Sequence, residues 1–251
     1  MIVESSAIVA KGLGIRRGGR WLLRPASFGI PGGVIGIAGP AGSGKSVLLA
    51  TLATLRRPQT GTVELFGEPV TTRTALRRAR ARIGFLPSDA RWASGSTVTD
   101  FVSYAAYYQR RPSSSVRRVL DGLDLADVAS WQLNELPADL RVRAGLAAAC
   151  VHAPDLAFLD APLSGLPAHA VRDLVPLLGT VAPTVVVTAE SAADLGWCDR
   201  VYLMDAGRLA LADRVTARLV RPVFRPPQRT MPHIAAAWSR AHRSRGALAH
   251  A

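Results

Sequence analysis

Gly39-Pro40-Ala41-Gly42-Ser43-Gly44-Lys45-Ser46 is the stretch that decides the fold, because it matches the pattern G-x-x-x-x-G-K-[ST] in full. An apolar strand-like run, residues 34–38, precedes it, and a helical run, residues 46–55, follows it. The glycines let the backbone curl around phosphate, and the N–H groups at the helix start form a nest for anions. The alternative is a glycine-rich turn that binds nothing. We predict that all eight residues bind a nucleotide, with Lys45 on its β- and γ-phosphates and the Ser46 hydroxyl on Mg²⁺.

A second strand-like run, residues 156–160, ends in an acid, Asp160. An apolar strand that ends in aspartate is typical of nucleotide sites in which the carboxylate holds Mg²⁺ through its hydration shell. The pattern is weak by itself and gains weight beside the phosphate loop. We therefore predict Asp160 as a second metal-binding residue.

Strand-like and helical runs alternate along much of the chain. The strand-like runs cover residues 34–38, 62–66, 83–86, 156–160, 184–188 and 200–204, and helical runs such as 46–55 and 168–178 lie between them. This alternation predicts an α/β fold with a mainly parallel sheet. Between residues 88 and 152 the strand signals vanish and helical runs at 99–109 and 115–123 replace them, which predicts an inserted helical subdomain. Thr97 and Asp100 have the spacing of a capping box, so a helix is expected to start there.

The chain is strongly basic, with a net charge of +13. Only Lys11 and Lys45 are lysines, so 29 of the 31 basic residues are arginines. Such a charge is compatible with nucleic acid, with an anionic membrane surface or with a bias toward arginine. The even spread of the arginines disfavours nucleic acid. The cluster Arg77, Arg78, Arg80 and Arg82 is interpreted as a solvated helical face first and a contact patch second.

Residues 1–219 are expected to form the nucleotide-binding domain, and residues 220–251 a basic, flexible tail. The tail contains six arginines, no acid and four prolines that interrupt regular structure. The chain has no apolar run long enough to cross a bilayer, and its start lacks the pattern of a signal peptide. Cys150 and Cys198 have no metal-type spacing, and Cys150 is expected to be a buried thiol.

Five stretches together resemble the ATP-binding subunits of ABC transporters, most closely those of bacterial ABC-2-type exporters. They lie in the family's order between about residues 8 and 211: LGIRRG (13–18), RRPQTGTVELFG (56–67), IGFLPSD (83–89), DLAFLDAPLSGLP (155–167) and TVVVTAE (184–190). The resemblance implies a P-loop NTPase with an ABC-ATPase core, an N-terminal antiparallel β part and an inserted helical subdomain. It also implies ATP and Mg²⁺ as cofactors, Arg17 at the adenine-stacking position and Ser88 at the Q-loop position beside the metal.

The same resemblance implies partners and a place in the cell. In this family two cassettes close around two ATP molecules and drive transmembrane permease subunits. The chain is thus expected to pair with a second cassette and with permease subunits, with no nucleic acid partner, at the cytoplasmic side of the cell membrane. Phe101, Tyr104 and Tyr108 share one predicted helical face, for which core packing is the alternative, and Tyr107 lies off it as a candidate partner contact.

The departures from the family pattern are concentrated at the positions that contact the nucleotide or act in its hydrolysis. Ala161 stands where a glutamate polarises the attacking water, and loss of such a base typically costs ~10²–10⁴ in rate. Glu190 replaces the switch histidine, where a carboxylate repels the phosphates. Ser88 replaces the Q-loop glutamine and is too short to copy it. Arg17 replaces an aromatic residue and stacks less strongly.

The signature motif and the D-loop depart as well. Residues 136–140 read LPADL where the family has LSGGQ, and Pro137 has no N–H to offer a phosphate. Asp139 is expected to cap the following helix. Pro167 stands in place of the D-loop aspartate.

ATP binding is therefore expected to be retained, whereas ATP hydrolysis is expected to be impaired. We predict an ATP-binding subunit of an ABC transporter, with export the favoured direction and hydrolysis weak or absent. The alternative is a soluble regulatory or nucleic-acid-associated P-loop protein. The sequence leaves open whether the chain is an active enzyme.

Overall fold

The strands of the chain form two sheets in the computed structural model, which describes residues 6–88 and 95–212. The strands are β1 (Ser6–Arg17), β2 (Arg20–Pro31), β3 (Gly33–Ala38), β4 (Thr60–Leu65), β5 (Glu68–Pro69), β6 (Ile83–Leu86), β7 (Leu156–Leu159), β8 (Thr184–Ala189), β9 (Arg200–Asp205) and β10 (Arg208–Leu211). The helices are α1 (Lys45–Leu52), α2 (Arg73–Arg80), α3 (Val98–Tyr108), α4 (Ser113–Gly122), α5 (Ala138–Cys150) and α6 (Ala168–Leu178), with 3₁₀ turns at Ala126–Val128 and Ala192–Leu195. The predicted tail, residues 220–251, and Asp89 lie outside the described residues.

The larger sheet confirms the predicted α/β fold. Its order is β10-β9-β3-β8-β7-β6, and every pair is parallel except β10 with β9. The central strands β3, β7 and β8 are almost wholly buried, as expected for parallel strands covered on both faces. The carboxyl ends of these three strands therefore open on one edge of the sheet.

The smaller sheet confirms the antiparallel N-terminal part, with the order β2-β1-β4-β5. The two glycines of the β1–β2 turn, Gly18 and Gly19, have φ of 55° and 78°, a region that side chains disfavour. One face of this sheet packs with α1 and the parallel sheet around a shared apolar core that includes Leu13, Leu48 and Phe158. The smaller sheet thus covers the strand and helix that flank the phosphate loop.

The inserted helices α3, α4 and α5 lie between β6 and β7 and confirm the predicted helical insertion. The capping box is confirmed, because the Thr97 hydroxyl accepts from Asp100 N at 3.1 Å and Thr97 N donates to the Asp100 carboxylate at 3.2 Å. Within residues 6–88 and 95–212, no helix combines the length and apolar character needed to cross a bilayer.

Three local expectations were wrong or incomplete. Asp139 does not cap α5: it lies in the first turn, and the N-cap is Pro137 with no side-chain hydrogen bond. The helix α1 ends at Leu52 instead of residue 55, since the chain turns at Thr54 with φ of 63°. The arginine cluster is only partly a solvated face, because Arg80 donates to the carbonyl oxygen of Thr54 at 2.6 Å and Arg82, beyond α2, pairs with Asp155.

Candidate functional site

The phosphate loop connects β3 to α1, and its backbone depends on glycine. Gly42 and Gly44 have φ of 77° and 104°, where a Cβ causes strain. A Cβ on Gly39 would overlap the carbonyl oxygen of Met204 in the neighbouring β9. Gly44 is the N-cap of α1 and supplies no side chain, so the first N–H groups of the helix have no side-chain cap. Such uncapped donors favour an anion at the start of α1.

The Lys45 side chain folds back over this loop. Its Nζ donates to the carbonyl oxygens of Gly39 at 2.6 Å and Pro40 at 3.0 Å. Burial lowers the pKa of Lys45, and the carboxylates of Glu190 and Asp160 oppose that shift by raising it. Lys45 is thus a partly desolvated cation held beside two acids, at the position predicted to contact phosphates.

Asp160 is held in place by a side chain that the sequence analysis did not identify. Asp160 is 4% exposed, and its Oδ1 accepts from the Thr188 hydroxyl at 2.7 Å. The same Thr188 oxygen accepts from the N–H of Ala161 at 2.8 Å, where the backbone turns with φ of 48°. Thr188 therefore ties the end of β7 to the end of β8. The available signal was its place two residues before Glu190, directly after three consecutive valines of β8.

A cleft of about 610 Å³ brings most of the predicted site residues together. Its wall includes eight positions singled out from the sequence: Ala41, Gly42, Lys45, Ser46, Ser88, Asp160, Ala161 and Glu190. These residues are far apart in the chain and meet because β3, β6, β7 and β8 end on the same edge of the sheet. The altered signature segment, residues 136–140, contributes nothing to this cleft among the described residues.

The cleft also has lining residues that were not predicted, and two of those after β8 carry polar groups. Asp194 and Trp197 line the cleft from the segment after β8, where the 3₁₀ turn Ala192–Leu195 bends the chain back toward the sheet. The Trp197 indole donates to the carbonyl oxygen of Asp194 at 2.9 Å, which stabilises the turn. No motif spacing marks these positions, so only the fold identifies them.

A second groove, of about 300 Å³, lies on the other side of the phosphate loop. It is lined by Arg20, Trp21 and Leu22 of β2, by residues 40–43 and by residues 205–207. Arg17, the predicted adenine-stacking residue, is exposed at the end of β1 directly opposite Arg20 and is not part of the groove wall. Since cross-strand partners share a face, Arg17 lies on the same side of the hairpin as Arg20, near the rim of the groove.

The residues present fit a magnesium nucleotide. Ser43 Oγ is buried in the phosphate loop and has no hydrogen-bond partner among the described residues, as expected for a hydroxyl that awaits an acceptor such as a phosphate oxygen. Ser46 and Asp160 offer oxygen ligands, the type that Mg²⁺ prefers. Such a ligand would supply a phosphate chain that Mg²⁺ polarises. The phosphate loop, Lys45 and these oxygens would bind and orient it.

Comparison with known proteins adds a family match. The sequence model of the family described as ABC transporter matches residues 23–164, more than half of the chain. The sulfate/thiosulfate import ATP-binding protein CysA of Mycolicibacterium paratuberculosis is 33% identical over 192 residues, which cover 72% of this chain and 52% of CysA. The daunorubicin/doxorubicin resistance ATP-binding protein DrrA of Streptomyces peucetius is 32% identical over 197 residues, covering 76% of this chain and 59% of DrrA. The chain spans only half to three-fifths of the length of these relatives.

Solved structures share the fold. The structure of cbiO1 from Clostridium perfringens, part of the ABC transporter complex cbiONQ, matches with a TM-score of 0.76 and 22% identity. The match covers 94% of this chain and 100% of that one. The dimeric structure of MJ0796, a bacterial ABC transporter cassette, matches with a TM-score of 0.72 and 21% identity over 81% of this chain and 98% of that one. At such identities the likeness concerns the fold alone.

Proposed function

Since the chain belongs to the ABC transporter family of ATP-binding domains, we propose that it is a transporter subunit that binds Mg-ATP with weak or absent hydrolysis. The observation that carries this proposal is a contrast within one cleft. The phosphate loop, Lys45 and Asp160 are present and close together, whereas position 161 offers only a methyl group. Binding needs the first set of groups, and water activation needs a base that Ala161 lacks.

A groove on the helical side of the chain supports a membrane partner. It has a volume of about 660 Å³, is mainly apolar and lies between β6, α3 and α5. Phe101, Tyr104 and Tyr108 line it together, as their shared helical face predicted. Tyr104 and Tyr108 are nonetheless largely exposed, and such an uncovered aromatic surface beside a concavity is typical of a docking site. We propose that a helical segment of a permease subunit occupies this groove.

Tyr107 supports the same proposal from outside the groove. It is 77% exposed and packs edge-on against Tyr108, with 5.6 Å between the ring centroids. Its prediction as a partner contact remains a proposal. Tyr107→Ala is expected to weaken co-purification with the permease without unfolding the chain, because the ring is not part of the core.

The remaining parts of the assignment are proposals as well. We propose that the chain lies peripherally at the cytoplasmic side of the cell membrane and pairs with a second cassette. We also propose that residues 1–219 form the nucleotide-binding domain and that residues 220–251 form a basic tail. The ABC-2-type motif pattern supports export. The two named relatives are an import protein and a drug-resistance protein, so a transport assay must decide the direction.

Calorimetry and an ATPase assay on the purified full chain test the central proposal. Mg-ATP is expected to bind the unaltered chain, and Lys45→Ala to remove most of the binding. Lys11→Ala is the matched control, because Lys11 is the other lysine and is exposed and paired with Glu64 on β4. Turnover of about one per second or faster, abolished by Lys45→Ala, would refute weak hydrolysis.

Ala161→Glu tests the missing base separately. If the absence of a carboxylate limits the rate, this variant is expected to raise turnover by about 10²-fold or more. An unchanged rate with unchanged Mg-ATP affinity would show that other altered positions limit hydrolysis. Recovery of a polytopic membrane protein with the tagged chain from its native cells tests the transporter assignment independently.

A further inference from the structure

We propose that the cleft favours a nucleoside diphosphate over the triphosphate, and that Glu190 is the residue that discriminates between them. This inference rests on the proposed nucleotide-binding function and adds a preference to it. The nucleotide site of such a cassette would be filled according to the concentration of diphosphate and would not require triphosphate.

The charges that line the cleft carry the argument. Lys45 is the one cation among the described lining residues, and three acids line the same cleft: Asp160, Glu190 and Asp194. The chain as a whole has the opposite balance, with a net charge of +13, yet no arginine lines the described cleft. The side chains that line the described cleft therefore carry more negative than positive charge. A bound Mg²⁺ adds the same positive charge with either nucleotide, so the third phosphate group of a triphosphate adds repulsion from the acids.

Glu190 is close to the groups that would hold phosphates. It follows β8 directly, and the carbonyl oxygen of the preceding Ala189 accepts from Gly39 N, the first residue of the phosphate loop, at 3.3 Å. Lys45 Nζ donates to the carbonyl oxygen of that same Gly39 at 2.6 Å. Burial lowers the pKa of Lys45, and Glu190 is the stronger of the two carboxylates that raise it. The Glu190 carboxylate thus lies within electrostatic reach of the phosphate-binding lysine.

The Glu190 carboxylate is not tied to a neighbouring side chain in the described part of the chain. Its carboxylate makes no hydrogen bond or ion pair with the residues that the structure describes, and its side chain is exposed to the cleft. Asp160 differs, since it accepts from Thr188 and is a predicted Mg²⁺ ligand. The backbone donors of the loop attract phosphate groups of either nucleotide. The repulsion by Glu190 grows when a third phosphate group is added, and the triphosphate therefore loses more affinity.

Calorimetry on the full chain with Mg-ADP, Mg-ATP and the non-hydrolysable β,γ-imido analogue of ATP tests the preference. The unaltered chain is expected to bind Mg-ADP several-fold more tightly than either triphosphate. Glu190→Gln removes the charge at nearly constant shape and is expected to improve triphosphate affinity about tenfold, with ADP affinity changed by less than about twofold. Raising the salt concentration is expected to narrow the difference, since Glu190 is solvent-exposed.

Glu135→Gln is the matched control, because Glu135 is an exposed glutamate outside both the cleft and the loop groove. It is expected to leave both affinities unchanged. Asp194→Asn should shift the ratio in the same direction as Glu190→Gln. The inference is overturned if the unaltered chain binds triphosphate more tightly than diphosphate, or if Glu190→Gln leaves the ratio unchanged. Both results leave the proposed function standing, whereas binding of neither nucleotide would overturn the proposed function itself.

Discussion

Replacement of Thr188 by valine is expected to disconnect Asp160 from the neighbouring strand. Thr188 is 1% exposed, and its hydroxyl both donates to Asp160 Oδ1 at 2.7 Å and accepts from Ala161 N at 2.8 Å. Valine has nearly the same shape and suits a buried strand, so the two hydrogen bonds are the main loss. A hydrogen bond to a charged group contributes about 1.5–3 kcal/mol and a neutral one about 1 kcal/mol. Thr188→Val is therefore expected to lower the free energy of unfolding by about 2–4 kcal/mol.

Urea unfolding without nucleotide measures this loss. The slope of the free energy of unfolding against urea concentration should stay the same, which shows that unfolding exposes the same amount of surface in both proteins. Thr51→Val is the matched control. Thr51 is 2% exposed in α1, but its hydroxyl only donates to the carbonyl oxygen of Val47, one turn earlier in the same helix, at 2.7 Å. Such a back-bond contributes little, so the control is expected to cost less than about 1 kcal/mol.

Thr188→Val is also expected to weaken binding at the proposed metal site. A side chain that orients a metal ligand typically contributes 10–100-fold to metal affinity. Thr188→Val is therefore expected to weaken ATP binding about tenfold in Mg²⁺ and only slightly in EDTA, as measured by calorimetry. Equal stability of Thr188→Val and Thr51→Val, together with unaltered Mg²⁺ dependence, would refute the positioning role.

Three further outcomes follow from single residues. Gly39→Ala is expected to cost about 1–3 kcal/mol of stability and to impair ATP binding, because the added Cβ overlaps the carbonyl oxygen of Met204; denaturation and calorimetry measure both. The hydrogen bonds from Thr97 hold the pKa of Asp100 below its usual 3.8, so its capping contribution is present above that value and is lost as the pH falls through the lowered pKa. The urea midpoint of Asp100→Asn should therefore lie below that of the unaltered chain at pH 6, and the difference should shrink as the pH falls through the lowered pKa. Burial raises the pKa of the Cys150 thiol to about 12, and peptide mapping should show alkylation of Cys150 only after denaturation.

The elements that the sequence predicted well have strong local patterns. The bounds of β6 and α6 agree residue by residue with the predicted runs 83–86 and 168–178. The strands β1 and β2 were expected only through the family resemblance. Each has twelve residues, only one well-buried face and several irregularities in its pairing, so no simple alternation marks it. Asp139 was misassigned because the sequence does not show which residue of a helix start lies outside the first turn.

The sequence alone determined the phosphate loop, because eight consecutive residues carry the glycines, the lysine and the hydroxyl that such a loop needs. A local pattern also identified Asp160, because an acid ends an apolar run, whereas Ala161 and Glu190 were identified only through the family resemblance. Tertiary structure decided that these residues share one cleft and that Thr188 and Asp194 belong to it. The physical reason is the strand order: β3 pairs with β8, and β8 with β7, so residues more than a hundred positions apart end on one edge of the sheet. Charge repulsion and hydrogen bonding depend on such distances in space, which no local pattern records.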